Sequence, residues 1–308
     1  KGEASNVVLQ DETMLEMQKA LMETSCPISV TVTYSAMGNY KKADQFLADC
    51  KNGKSGSVVI YEVRQDGGIN RMKFIYDETD MYVVSTSGVW MENNTPGIAH
   101  TSYTRIKEWE YTENGWFCYE LCVPEPPEVT EIMDGSCLIR IIPMPEKERE
   151  LSKLCVQGIG YQGNNLLCSD WDLDNLDALD YNGLYEYLYR MKYGEQLQAE
   201  NYTDGIPKAE FESLMMEYFP ISEEELQKYA EFDEKTSRYA WASLGCGNYV
   251  PNFLGTSVPE VVEIKENLDD TVTLTVNAVC DIIIGVHLLI RERLKIIFIW
   301  FVKTIKLY

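Results

Sequence analysis

Five runs of alternating apolar and polar residues follow one another between residues 57 and 123, and few folds can absorb them. Ser57–Arg64, Asn70–Tyr76, Met81–Trp90, Ile98–Tyr111 and Trp116–Val123 each repeat with period two. That spacing puts successive side chains on opposite sides of a strand. The gaps are turn-forming: Asp66-Gly67-Gly68, Asp77–Asp80, the loop Glu92–Gly97, and Asn114-Gly115. Strands joined by turns this short make an antiparallel meander. Asn114-Gly115 predicts a type I′ hairpin, because both residues tolerate the positive φ that turn requires.

Other patterns flank the meander. Met14, Met17 and Leu21 recur at helical spacing within a predicted helix over 7–25, which Pro27 ends. Ile28–Tyr34 alternates as a short strand, and a second helix over 41–51 stops before Asn52-Gly53. Both helices are expected on one face of the sheet. Pro124, Pro126 and Pro127 begin a stiff acidic connector into Gly135. Beyond it the pattern predicts a strand over Ser136–Ile142 and helices over 146–156, 182–192, 207–218 and 222–230. The last opens on a capping box, Ser222 with Glu225. A strand over 236–243, a Gly/Asn/Pro-rich loop over 245–259, and a hairpin from Val261–Glu266 and Thr271–Val279 follow. The fold class is α+β: an antiparallel β-meander with N-terminal helices, then a helix-containing part ending in a β-hairpin. Residues 1–130 form the first part and 131–308 the second, with one sheet open to both.

Charge narrows the function. The 308 residues hold 49 Asp/Glu against 27 Lys/Arg, a formal charge of −22, and such a surface repels nucleic acid. The excess is uneven: residues 281–308 carry five Lys/Arg and two Asp/Glu, so this tail is +3 and the remainder −25. The tail's longest charge-free runs are too short to span a bilayer as a helix. Its Ile-rich content fits buried strands, and its basic residues beside apolar ones fit a membrane surface. Nine cysteines without a Cys-x-x-Cys read as small buried hydrophobes, not a disulfide scaffold. No apolar export signal opens the chain at Lys1.

The densest acidic stretch is Ser169–Asp180. Asp170, Asp172 and Asp174 occupy the first, third and fifth positions of a calcium loop. Asn175 stands where that loop needs Gly, and Tyr181 where it needs a bidentate Glu. The competing reading is an acidic loop packed through its leucines, with Asp177 or Asp180 capping the next helix. Asp170, Trp171, Asp172 and Asp174 are the ligand-binding candidates; no metal and no cofactor is assigned. Catalytic patterns fail: His100 and His287 are the only histidines, and Cys246 with His100 has no supporting spacing. Gly53-Lys54-Ser55 lacks the first Gly of a phosphate loop. Forty-nine acids make any one carboxylate pair uninformative. Tyr103, Trp109, Tyr111 and Trp116 crowd one hairpin, as packing residues or as a carbohydrate or peptide groove.

One set of motifs carries a resemblance. Gly160-Tyr161, Asn164-Asn165 and Ser169-Asp170-Trp171 come first, then Leu184-Tyr185 through Tyr193-Gly194, Ile206-Pro207-Lys208, Phe211-Glu212 and Tyr218-Phe219. Val258–Val262 leading to Thr271–Val279 completes it. Over about 57–280 the chain resembles an uncharacterised domain-of-unknown-function family of exported proteins, often lipoproteins, of Gram-positive anaerobes. The resemblance implies the extracellular face of the cell membrane and a lipid anchor upstream of Lys1. It implies no activity and no catalytic residue. The tail from 282 departs from the family's pattern, which suggests a reading-frame shift near Asp281. The expected function is a non-catalytic cell-envelope binding or interaction protein of unknown ligand. The alternatives are a hydrolase acting on envelope polymers through paired carboxylates and a calcium-stabilised extracellular module.

Overall fold

The computed structural model describes residues 8–91, 95–122, 136–157, 164, 166, 171, 174–241, 258–268, 272–279 and 298–300. The chain divides into two compact units, with the main break between Pro145 and Glu146. The proline connector at 124–135, the loop at 245–257 and most of the basic tail lie outside the described residues.

In the first unit, α1 (Asp11–Leu21), β1 (Ile28–Val30) and α2 (Lys41–Lys51) precede six strands. These are β2 (Gly56–Val63), β3 (Ile69–Tyr76), β4 (Met81–Trp90), β5 (Pro96–Tyr111), β6 (Trp116–Leu121) and β7 (Ser136–Arg140). The sheet order is the sequence order, and every pairing is antiparallel except β1 with β2. The alternation is literal. Val58 and Ile60, Met72 and Phe74, and Met81 and Val83 line one face, buried with Ala43, Phe46, Leu47 and Cys50 of α2. Phe117 stacks on Tyr119 and meets Phe74 edge-on in the same core. Each such side chain contributes about 1.5–3 kcal/mol of burial.

The two helices do not share a face. Met14 of α1 packs with Ile28 and Val63, beside Tyr61. Tyr61 and Val63 point opposite to Val58 and Ile60, so α1 and α2 take opposite sides of β2. The predicted strand over 28–34 ends at Val30, and Tyr34 has a left-handed φ of 58°. The Asn114-Gly115 hairpin is also not type I′. Gly115 carries the positive φ, 83°. Its N–H donates to Thr112 O (3.0 Å), and Thr112 N–H donates to Trp116 O (2.9 Å). That is a three-residue loop ending in a left-handed glycine. Arg64–Gly68 repeats it, with Gly67 at φ 79°.

A β-bulge interrupts β5. Ile106 opposes Leu121, yet Glu108 opposes Glu120. Two acids face each other there, and the extra residue, Lys107, reaches Glu120 at 2.9 Å.

In the second unit, α3 (Glu146–Leu151) runs into a π-helical turn over Ser152–Val156. Buried Ser152 donates to Glu148 O (2.7 Å) and accepts from Val261 N–H (2.8 Å). Next come α4 (Tyr181–Tyr193), β8 (Ile206–Pro207), α5 (Lys208–Tyr218), α6 (Glu223–Tyr229), β9 (Phe232–Asp233) and β10 (Arg238–Tyr239). The strand expected over 236–243 contracts to two residues in a small sheet ordered β8-β10-β9. Asp180 caps α4 through Gly183 N–H (3.0 Å), and the capping box of α6 is present. β11 (Val258–Glu266) and β12 (Val272–Val279) form the expected hairpin, and β13 (Phe298–Trp300), from the basic tail, pairs with β12. The core is aromatic: Phe211 lies stacked against both Tyr185 and Tyr239. Among the described residues, no helix is long and apolar enough to cross a membrane.

Candidate functional site

Because Met72, Phe74, Met81, Val83 and Ile106 are fixed inward by the core, the residues between them are fixed outward. Register aligns these outward residues into rows. Ile75 pairs with Tyr82 and Tyr82 with Arg105; Lys73 with Val84 and Val84 with Tyr103; Arg71 with Thr86 and Thr86 with Thr101. Tyr103 stacks on Tyr82 at 5.4 Å and 20°, and remains 66% exposed. Burial first, then the charges of Asp80 and Asp77, raise the Tyr82 hydroxyl above its ordinary value.

Up to the bulge in β5, the strand positions of this face are free of acids; beyond it Glu108 and Glu110 turn outward. Those positions are 57, 59, 61 and 63 on β2, 69 to 75 by twos on β3, 82 to 90 by twos on β4, and 101 to 105 by twos on β5. None is Asp or Glu, in a chain where acids outnumber bases 49 to 27. Three are cations. Arg105 pairs with Asp80 at the rim (3.1 Å), and that bond raises the guanidinium's pKa. Arg71 and Lys73, both half-buried, have no hydrogen bond or ion pair among the described residues. The other described arginines all have partners. Residues 81–91 and 95–104 contain no Asp, Glu, Lys or Arg, and Trp90 and Ile98 stand exposed at the far end of this ribbon. From Pro96 to Thr104, β5 has no partner on its β6 side among the described residues.

The residues singled out in the sequence fall elsewhere. Asp170 and Asp172 lie outside the described residues. Trp171 is half-buried, donates to Leu166 O (2.9 Å) and meets Phe219 edge-on at 6.0 Å. Asp174 is exposed. Among the described residues no group of three or more His, Cys, Asp or Glu could hold a metal. His100 is exposed on β5 opposite Ser87, whose hydroxyl accepts from Arg64 (3.1 Å); Cys246 lies outside the described residues. Gly53-Lys54-Ser55 is the turn between α2 and β2, with Lys54 paired to Asp49.

A cleft of about 620 Å³ in the second unit holds Glu212, Glu217 and Glu223 beside Lys208. Lys208 bonds both Glu212 (3.2 Å) and Glu223 (3.1 Å). Glu212 also accepts from Tyr239 (2.8 Å) and Gln227 (3.0 Å). Three donors on one buried carboxylate hold α5, α6 and β10 together, the geometry of a structural tie.

The aromatic hairpin splits. Trp109, Tyr111 and Trp116 are inside or half-buried, and Tyr103 alone is exposed. Arg71, Lys73 and Tyr82 drew no notice in the sequence, although the alternation around Met72 and Phe74 already sends 71 and 73 outward.

No curated protein and no solved structure matches the chain. The model of a family of unknown function, DUF6070, matches residues 1–295. The match extends past both ends of the stretch that carries the motifs. The chain belongs to the DUF6070 family.

Proposed function

We propose that this chain is a non-catalytic binding protein of the cell envelope, and that the outer face of β3–β5 is its contact surface. The observation that carries the reading is the acid-free stretch of this face: an exposed, stacked Tyr103 beside two cations without partners among the described residues, on a chain of −22. Exposed aromatic surface rimmed by polar groups is the usual form of an interaction site. The exported, lipid-anchored location belongs to the same proposal. It puts this face outside the cell, where wall polymers and envelope proteins are the available partners.

Co-sedimentation with isolated cell envelopes tests it. The wild-type chain is expected to sediment, and Tyr103→Ala to stay in the supernatant. Equal sedimentation of the two would remove the face from the reading. Time-dependent release of soluble fragments from the envelopes would favour the hydrolase.

A further inference from the structure

We propose that the ligand of this face is a glycan strand bearing carboxylates, with Arg71 and Lys73 taking the carboxylates and Tyr103 the flat side of a sugar ring. The inference rests on the binding-surface reading and names the ligand's chemistry.

The first argument is charge. A half-buried cation normally acquires a counter-charge from its own chain, and this chain has acids in excess. Yet the strand positions that flank Arg71 and Lys73 hold none, and the counter-charge is therefore assigned to the ligand. The second argument is spacing. Residues two apart on a strand project about 7 Å apart on one face. The pair therefore suits sparse anions, such as one carboxylate per sugar, better than the dense charge of a phosphate polymer, which the remaining acidic surface repels more strongly. A planar guanidinium takes a carboxylate through two parallel bonds.

The third argument is the platform. Tyr103 stands two strands from Lys73 in the same row, about 10 Å away. Its ring is held by the stack on Tyr82, so little freedom is lost when a sugar packs its apolar C–H side on it. Thr86 and Thr101, next in register, offer hydroxyls that both donate and accept.

Titration calorimetry on the whole chain tests the assignment, with oligogalacturonate as probe. The controls are the same oligosaccharide with its carboxyls reduced, and polyphosphate. Wild type is expected to bind oligogalacturonate in a salt-sensitive way. Arg71→Gln, Lys73→Gln and Tyr103→Ala should each weaken binding about tenfold, the size of one lost charge-assisted or stacking contact. Lys147→Gln, whose lysine pairs with Glu266 in the other unit, should leave it unchanged. The reduced oligosaccharide and polyphosphate should bind at least about tenfold more weakly. No binding by wild type, or Gln variants that bind as well as wild type, would overturn the proposal. Equal affinity for polyphosphate would reduce it to charge alone and overturn it too. If oligogalacturonate fails while envelopes still sediment the chain through Tyr103, only the ligand assignment falls.

Discussion

The Tyr239 hydroxyl donates to Oε1 of Glu212 at 2.8 Å, inside the aromatic core of the second unit. Burial first, then that carboxylate, hold the phenol above its ordinary range. Glu212→Ala strips the acceptor from Tyr239 and Gln227 and leaves Lys208 with Glu223 alone. We expect a loss of about 1–3 kcal/mol, the cost of leaving the buried Tyr239 hydroxyl without its acceptor. Glu212→Gln, which keeps an acceptor for Tyr239, should lose less. Urea unfolding followed by aromatic fluorescence compares them; equal midpoints for wild type and Glu212→Ala would show that the tie is idle.

Gly115 is constrained twice over. Its φ of 83° suits glycine, and an added Cβ would stand 2.4 Å from Ile142 Cβ and 2.9 Å from Ile142 N. Gly115→Ala should destabilise the first unit by about 2–4 kcal/mol, combining left-handed strain with overpacking. Gly53 has φ 73° with nothing near its missing Cβ, so Gly53→Ala should cost only about 1 kcal/mol. Thermal melts of the two side by side separate crowding from backbone strain. Equal costs would assign both to strain.

Glu78 sits at φ 83° in the β3–β4 turn, where Asp77 Oδ1 accepts from Thr79 and Asp80 N–H groups. A left-handed glutamate is strained, and its one side-chain bond, to Ser55, is exposed. Glu78→Gly should therefore stabilise the first unit by about 0.5–1 kcal/mol, after glycine's greater unfolded freedom is subtracted. A lowered melting temperature would mean that the Ser55 bond outweighs the strain.

Glu62 gives the unit a pH dependence. Burial raises its carboxyl above the ordinary 4.5, against the opposing pull of the Asn70 amide and the Arg64 charge. The folded state thus holds the proton more tightly than the unfolded chain. The associated stability is full below 4.5 and is lost as pH rises through the raised value. Glu62→Gln has no proton to lose. Wild type should lose stability relative to Glu62→Gln as pH is raised from 4.5 toward neutrality, read from urea midpoints. A constant difference between the two would contradict a raised carboxyl.

Much of the fold was legible because the meander is local. Each strand from β2 to β6 follows its neighbour through a turn, and the alternation of Val58, Ile60, Met72 and Phe74 sets both face and register. Less was legible where a turn decides. The alternation over 28–34 stops at Val30, and a turn closed by Ser35 N–H on Val32 O follows, with Tyr34 left-handed inside it. The candidate site was hidden for another reason. Arg71 and Tyr103 are 32 positions apart in the chain, and only pairing through β4 brings their strands onto one surface. The acidic stretch that drew notice instead, around Trp171, contributes a ring to the core.

The bulge at Lys107 explains why the aromatic hairpin splits. Without it, positions 103, 105, 107, 109 and 111 would all project to one side of β5. The extra residue reverses the alternation, so Tyr103 goes to solvent while Trp109 and Tyr111 go to the core. A single strand is thereby divided into a half that answers to whatever lies outside and a half that answers to α2. Substitutions at 101, 103 and 105 can retune the outer surface while the interior stays packed. Deleting Lys107 would remove the bulge and leave both assignments in place.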